Sequence, residues 1–374
     1  MMADTRFPDE VPCVLKPATV DELDEVTYLA ANPDVAKSGQ AAHAHFRSGG
    51  QAEGRLQWTN LDLVAQLRER KLARVRLRGQ PRSVFATGEA PNFLSDQIIE
   101  AFGIPDDVPV SAHQYGAPVL DLIHDNRDKL FLDVGAGLRH IYYANVVNTD
   151  IYRSVCTDVM CVGEDLPFDD EQFDFVFCFA VLEHTMRPWD VAREMCRVLK
   201  PGGTIMVDWP FLQPVHGYPH HYFNATPTGN KSLFEAYCDV TSLEVAWHHH
   251  PAIAVQWILT VWRNGLPAEI ARKFEAMAIG NLIKNPIETQ LEQDYCVELS
   301  PDLKKVIASG SMVTGVKRPG PVPTSPLGAD WTQSALARQN AALHQEIDVL
   351  RRSTSWRITA PLRALGRRLR GDRR

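Results

Sequence analysis

The sequence predicts an α/β fold with a mainly parallel sheet over residues 111–317, preceded by a small helical module and followed by a helical tail. Three observations predict it. Short apolar runs of strand length alternate with helical patterns through that region, the signature of strands joined by crossover helices. The run KLFLDVGAG, residues 129–137, ends an apolar strand in a glycine turn, where backbone can approach a ligand without a Cβ in the way. RVLKPGG, residues 197–203, stops a helix with Lys-Pro-Gly-Gly and begins another strand.

Taken in chain order, residues 1–60 form the first zone. Leu29, Val35, Ala42 and Phe46 recur at helical spacings, and Gly49, Gly50 and Gly54 break the pattern. Tyr28, Pro33-Asp34-Val35, His45-Phe46, Gly50 and Glu53-Gly54-Arg55 give this stretch the form YxxxxPDV…HFxxxGxxEGR. It is similar to short segments that accompany bacterial enzymes making surface polysaccharide. Residues 61–110 are a charged lead-in, helical through QLRERKLARVRLRG. Within 111–317, strands are expected near 130–134, 146–150, 173–179, 203–208 and 243–248, with a closing hairpin near 294–317. A helix is expected over 188–199, where Val191, Ala192, Met195, Val198 and Leu199 share one face. The proline- and glycine-rich residues 318–330 read as a linker. In the last zone, 331–374, Leu336, Asn340, Leu343, Ile347 and Leu350 trace a short heptad seam, which would pair two copies with Asn340 fixing register. The alternative is a solvated amphipathic helix.

Composition narrows the function classes. Nothing in the sequence approaches the roughly 20 apolar residues that span a bilayer, and the acidic, proline-bearing N-terminus lacks the look of a secretory signal. The seven cysteines are scattered singly, which predicts reduced thiols in a cytoplasmic chain rather than disulfides or a zinc site. Residues 351–374 hold nine arginines against Asp372 alone. The chain's net charge of −7, less that tail's +8, leaves −15 on residues 1–350. So acidic a body does not suit nucleic acid. The tail itself mixes Trp356, Ile358, Leu362, Leu365 and Leu369 with arginine, so it reads either as a peripheral contact with the inner face of a membrane or as a solvated basic tail.

The glycine turn has spaced companions. Asp150 stands at the expected end of the second strand, where a carboxylate can accept both hydroxyls of a ribose. EDLPFDDEQFDFVFCFAVLEH, residues 164–184, runs through an acidic loop into the strand 173–179, and RVLKPGG follows. In order and spacing these motifs resemble the class I S-adenosylmethionine-dependent methyltransferases, the broad group with LPF, VLEH and RVLKPGG. That resemblance implies a Rossmann-like, mainly parallel seven-stranded sheet and S-adenosylmethionine as cofactor. By it, Asp133, Gly135, Ala136 and Gly137 would hold the methionine portion and ribose edge. Asp150 would take the ribose hydroxyls, with Ile151 against the adenine. Glu164, Asp165 and Leu166 would flank the adenine, and residues 180–184, Ala180 and Glu183 among them, would face the sulfonium. Two departures stand out. Val162 occupies the place of an aspartate aimed at the adenine amino group, so Asp158 or Glu164 substitutes, or backbone and apolar contacts suffice. The interval from Asp133 to Asp150 is also short, which would cut the first helix to a turn around 138–143.

An acceptor site should lie beyond the fourth and fifth strands. DWPFLQPVHGYPHHYFNATPTGNKSLFEAY, residues 208–237, follows a strand there and is rich in histidine, aromatics and proline. It is similar to the PF…HxxPxDYxRxT stretch of methyltransferases found with polysaccharide clusters: His216, Pro219, Tyr222 and Thr226 match, while His221 replaces the usual aspartate and Asn224 the usual arginine. His184, His216 and His221 are the candidate bases, since imidazole accepts a proton near neutral pH. Each has a purely structural alternative. Trp209, Tyr218 and Tyr222 fit either a sugar face or the core. No metal is expected, because helical His pairs and cysteine partners are lacking. The acceptor expected is a carbohydrate or other small molecule. The leading activity is O-methylation of a sugar in a surface glycan or its precursor. A small-metabolite or lipid-quinone methyltransferase and a non-catalytic cofactor-binding scaffold are the alternatives.

Overall fold

The computed structural model of the chain describes residues 8–82, 90–105, 110–216, 220–264, 268–275, 286–292 and 310–320. The heptad seam, the arginine tail, most of the linker and the first arm of the expected hairpin lie outside those residues. Two units are present. The first comprises residues 1–94 and 105–325, and the second residues 95–104 and 326–374. The described part of the second is helix α5, Asp96–Phe102, capped by the Ser95 hydroxyl at one end and by Gly103, at φ 58°, at the other.

The strands run, in chain order, β1 (Glu10–Pro12), β2 (Leu15–Pro17), β3 (Leu56–Trp58), β4 (Phe131–Val134), β5 (Ile141–Tyr143), β6 (Val146–Asp150), β7 (Val159–Met160), β8 (Phe173–Phe179), β9 (Leu199–Pro210), β10 (Cys238–Glu244) and β11 (Gly310–Lys317). Seven of them form the main sheet in the order β10-β11-β9-β8-β4-β6-β7. Pairing is parallel from β9 through β7, and β11 is antiparallel to both its neighbours. This is the Rossmann-like methyltransferase fold. The order reverses beside β4, so the carboxyl edge there is a topological switch point, the usual place for a ligand.

Period-two alternation sends successive side chains to opposite faces. Leu132 and Val134 face a cluster with Val176, Cys178, Ile205 and Val207, against helix α7 (Pro188–Val198) and its Val191, Ala192, Met195 and Val198. Phe131 faces the other cluster, with Phe177 and Met206, under helix α6 (Ala117–Asp125) and its Val119 and Ile123. The hydrophobic face expected for 188–199 is thus buried as a unit, except that Leu199 already belongs to β9. The strand begins earlier than the glycines suggest because Leu199 pairs with Phe173. A bulge at Lys200–Gly203 then restores register at Thr204. Gly202 has φ +78°, and a Cβ on Gly203 would meet the Asp174 carbonyl at 2.8 Å. The strand expected near 243–248 lies instead at Cys238–Glu244, and Trp247–His249 is a single 3₁₀ turn.

The predicted turn of helix at 138–143 is absent. Residues 135–145 form a turn and β5, and β5 pairs antiparallel with β1 from the N-terminus. Helix α4 (Leu61–Leu72) covers this region, placing Val64 and Leu67 against Val11, Cys13, Tyr142 and Cys156. It ends at Leu72, well short of the helix read from QLRERKLARVRLRG, because Leu77 bridges to Phe168. The N-terminal module holds three short helices, α1 (Glu25–Ala31), α2 (Pro33–Ser38) and α3 (Ala42–His45), on the β2–β3 pair. Its motif residues are used internally. The Tyr28 hydroxyl bonds His45 Nδ1 at 2.9 Å, and the Tyr28 and Phe46 rings meet edge to face. A Cβ on Gly50 would lie 2.3 Å from that hydroxyl, and Arg55 binds Asp34 at 2.8 Å and Glu53 at 2.7 Å. Tyr28, which the helical spacing missed, is the centre of this core.

Beneath β6 the α4 residue Lys71 is wholly buried. Its Nζ donates to Asp158 at 2.6 Å and to the Val146 carbonyl, and stacks 3.7 Å from the centroid of the Tyr142 ring. Asp158 also accepts from the Tyr142 hydroxyl and the Asn148 amide, with Arg68 Nε at 3.3 Å. Burial lowers the Lys71 pKa to about 8 against the pull of Asp158. Removing one partner leaves a buried charge short of compensation, so Lys71→Met should lower the unfolding free energy by about 3–5 kcal/mol. Denaturant titration at pH 7 checks this; a change under 1 kcal/mol would show that Arg68 and Tyr142 suffice for Asp158.

Candidate functional site

Asp133 is the penultimate residue of β4 and Asp150 the last of β6, on the same rim of the sheet. The turn between them is tied to β6. Gly135 and Ala136 donate their amides to the Thr149 carbonyl, each at 2.9 Å, and Gly137 donates to Asp150 Oδ2 at 2.8 Å. Gly135 and Gly137 adopt φ +74° and +63°, a region that favours glycine. Their missing Cβ atoms make room for the protein itself: at Gly135 a Cβ would meet Val181 at 2.4 Å, and at Gly137 the Ser111 carbonyl at 2.4 Å. The bare backbone expected to admit a ligand is therefore covered at both glycines. Ala136 is buried.

The acids remain. Asp133 Oδ2 accepts from Arg139 at 2.6 Å and from the Tyr115 hydroxyl, while Oδ1 is buried without a partner. Asp150 accepts one amide on each oxygen, from Gly137 and from Tyr152, and its pKa is raised by burial. A carboxylate oxygen has two lone pairs. Each carboxylate thus keeps acceptor positions, suited to an ammonium and to ribose hydroxyls. That acceptor set fits S-adenosylmethionine, with Ile151 half-buried beside Asp150.

The adenine side departs from expectation. Asp158, one of two substitutes considered for Val162, is enclosed by Lys71 and Tyr142. Glu164, the other, is buried with Oε1 on the Arg187 amide at 3.3 Å, before the first turn of α7. Burial lifts its pKa to about 7. Leu166 lies in the main core, its amide on Glu194 and its carbonyl on Arg197. Asp165 is exposed and Val162 buried. Apolar contact and backbone are what this edge offers an adenine.

At the end of β8, Ala180 takes φ +53°, a strained value for a residue with a Cβ, and its amide is held by the Asp208 carbonyl at 3.0 Å. A single 3₁₀ turn, Leu182–His184, follows. The chain beyond β9 folds back on it: Tyr222 donates its amide to the Glu183 carbonyl at 2.6 Å, and His184 Nδ1 meets the His220 carbonyl at 2.7 Å. His184, His216 and His221 are thereby brought together, with ring centroids 4.7–5.5 Å apart. Burial lowers the pKa of His184 and of His216. Glu183 lies directly behind them, fully buried, and burial pushes its pKa up to about 8.

The three rings are not equivalent. Asn224 Nδ2 donates to the Gln213 carbonyl at 3.0 Å, which turns Oδ1 towards His221 Nε2 at 2.7 Å. His221 Nδ1 then accepts from the His216 amide at 3.1 Å. Both nitrogens of His221 are occupied, so it braces the loop instead of serving as a base. The two positions that depart from the related pattern, His221 and Asn224, thus bond one another. Tyr222 is half-buried, and Trp209 is a core residue whose Nε1 donates to the Phe223 carbonyl. Tyr218 and Pro219 lie outside the described residues.

A second cluster was not anticipated. Asp208, near the end of β9, accepts from His248 Nε2 on one oxygen and His249 Nε2 on the other. Gly310 at the start of β11 leaves the space that the His249 ring fills. The run His248–His250 stands out in the sequence as a histidine group, but its pairing with Asp208 does not, because the histidines arrive from beyond β10.

With this geometry in view, comparison with known proteins is informative. The methyltransferase-domain family matches residues 132–207, from β4 into β9. An uncharacterized methyltransferase of Mycobacterium tuberculosis is 39% identical over 61 residues, 16% of this chain and 24% of that protein. An uncharacterized protein of Methanocaldococcus jannaschii is 47% identical over 49 residues, 13% of this chain and 24% of that one. The chain thus spans about a quarter of the length of these relatives. Among solved structures, the Bacillus subtilis YcgJ protein aligns with a TM-score of 0.29 and 16% identity, over 51% of this chain and 93% of its own. Phosphoethanolamine N-methyltransferase 2 of Haemonchus contortus, solved with S-adenosylhomocysteine, aligns with a TM-score of 0.30 and 14% identity, over 54% and 52%. Residues 132–207 are thus similar in sequence to the methyltransferase-domain family.

Asp208 supplies a pH test of the site. Burial alone would raise its pKa, but His249 and His248 hold it down to about 2. A depressed folded-state pKa contributes stability above the unfolded value near 3.8 and loses it as pH falls towards 2. Asp208→Asn should therefore be less stable than the parent by about 2 kcal/mol at pH 6, with the gap closing by pH 2–3. Denaturant titrations of both proteins across that range check it.

Proposed function

We propose that this chain is an S-adenosylmethionine-dependent methyltransferase whose acceptor is a sugar hydroxyl, in a surface glycan or its precursor. The observation that carries the activity is the pair Asp133 and Asp150, with spare acceptor positions, at the switch point of a sheet whose core matches the methyltransferase-domain family. Asp133 would hold the methionine ammonium and Asp150 the ribose hydroxyls. S-adenosylmethionine supplies a methyl group on a sulfonium, and in transfer the carbon–sulfur electron pair returns to sulfur as the acceptor oxygen bonds the methyl. Alignment is then the chief contribution of the protein.

The chain's own residues would order the acceptor. The 3₁₀ turn and the loop after β9 fix each other, and that loop brings Tyr222, His216 and His184 to one place. Neutral His184 and His216 would take the proton released by a hydroxyl. A sugar acceptor is supported by this aromatic and imidazole lining and by the similarity of the loop, and of the N-terminal module, to segments found with polysaccharide enzymes. The arginine-rich residues 351–374 would hold the enzyme at a membrane surface, and among the described residues no helix is long and apolar enough to cross one.

A second reading, a non-catalytic scaffold, is favoured by the covered glycines and by Asp158 and Glu164 being engaged elsewhere. Calorimetry separates the two. The full chain should bind S-adenosylmethionine and S-adenosylhomocysteine, and Asp150→Asn should weaken both by about 10- to 100-fold, the worth of a hydrogen bond to a charged group. Absence of binding by the unaltered chain supports the scaffold. The acceptor is then checked by mass spectrometry of glycan from cells with and without the gene: an unchanged spectrum rejects the sugar.

A further inference from the structure

The most unusual electrostatic feature of the described residues is Glu183. Its side chain is fully buried, and neither carboxylate oxygen has a hydrogen-bond partner. Two imidazole nitrogens lie near it, His184 Nε2 at 3.8 Å and His216 Nε2 at 3.9 Å, both from Oε1. Those distances are too long for hydrogen bonds, so a proton on any of the three does not reconcile them.

Ring tautomers sharpen the point. His184 Nδ1 lies 2.7 Å from the His220 carbonyl and His216 Nδ1 lies 2.8 Å from the Pro214 carbonyl. A carbonyl only accepts, so each Nδ1 carries the proton and each neutral Nε2 presents a lone pair. Backbone carbonyls on the far nitrogen are how imidazole ligands are commonly oriented towards a metal. Two imidazole nitrogens and one carboxylate oxygen, all within 4.8 Å of one another, thus converge. A cation bound by all three satisfies such a set.

We infer that Glu183, His184 and His216 form a binding site for a divalent first-row transition metal ion, at the carboxyl edge of the sheet between the 3₁₀ turn and the loop after β9. Two imidazoles and a carboxylate without thiolate suit zinc, manganese, iron or cobalt. Bonds of ~2.0–2.1 Å in a tetrahedron put ligand atoms ~3.3 Å apart, so each carboxylate–imidazole gap closes by about half an ångström on binding. Both rings are partly exposed, at 21% and 24%, which leaves an open side for entry and for a further ligand from the acceptor. A metal there lowers the pKa of a coordinated hydroxyl. This goes beyond the cofactor reading and does not depend on it. With the metal bound, His184 and His216 are its ligands, and the proton-accepting role proposed above belongs to the metal-free protein.

The test uses the full chain, stripped with chelator and titrated with zinc and, separately, with cobalt. A single saturating equivalent is expected, with visible cobalt absorption of a nitrogen–oxygen site. Glu183→Gln and His216→Ala should each weaken binding at least 100-fold, whereas Asp208→Asn should leave it unchanged. Because Glu183 is buried and its variant can fail to fold, His216→Ala, on a partly exposed loop, decides alone in that case. Calorimetry with S-adenosylmethionine on the same samples keeps the two readings apart: metal bound without cofactor leaves this inference standing, and the reverse removes it. No saturable uptake, uptake unaffected by His216→Ala, or loss in Asp208→Asn overturns the site.

Discussion

The connection between β4 and β6 carries no helix, and much of the molecule follows from that. Parallel neighbours are normally joined by a crossover whose helix covers the sheet. Here residues 135–145 are a turn and one short strand, too little to bury the face beside them. The cover comes from before the domain: β1 pairs with β5, and α4 packs on Tyr142 and Cys156. The price is a charged interior, since the arginine- and lysine-bearing face of α4 now meets β6. Asp158 answers it, with Lys71, Arg68, Tyr142 and the Asn148 amide closing the network. The N-terminal segment is part of this core instead of an appendage to it.

How much of this was legible in the sequence depends on range. Strands β4, β6 and β8 and the face of α7 were readable because apolar periodicity is a local property and their flanking turns carry glycine or proline. The bulge at Lys200–Gly203 was not, since Leu199 joins β9 only through its pairing with Phe173 on another strand. The interval from Asp133 to Asp150 correctly signalled something short, but not that β1 would convert it to a strand. Within the site, Asp133, Asp150, Glu183, His184 and His216 were visible as strand-end acids and loop histidines. Their partners Tyr115 and Arg139, and the cluster of Asp208 with His248 and His249, were not, because each contact joins segments that no spacing relates.

The exchange of an aspartate and arginine pair for His221 and Asn224 shows one way such a site keeps its form. The two departing positions are joined by a hydrogen bond of 2.7 Å. Asn224 is fixed by the Gln213 carbonyl and His221 passes the constraint to the His216 amide. The geometry of His216 is thus set by a chain of oriented donors and acceptors instead of by charge.

Four carboxylates stand along the carboxyl edge, and burying any of them is costly without compensation. Asp133 has a guanidinium and a phenol, Asp150 two backbone amides, and Asp208 two imidazoles. Glu183 is equally buried, yet neither of its oxygens has a side-chain hydrogen-bond donor among the described residues. A fold that compensates three acids with care and encloses the fourth behind two lone pairs has placed it for something that arrives from outside. Asp133 keeps one partnerless oxygen on this edge and Glu183 keeps two, so the strand-end acids and the turn after β8 offer their unused acceptor positions along one rim.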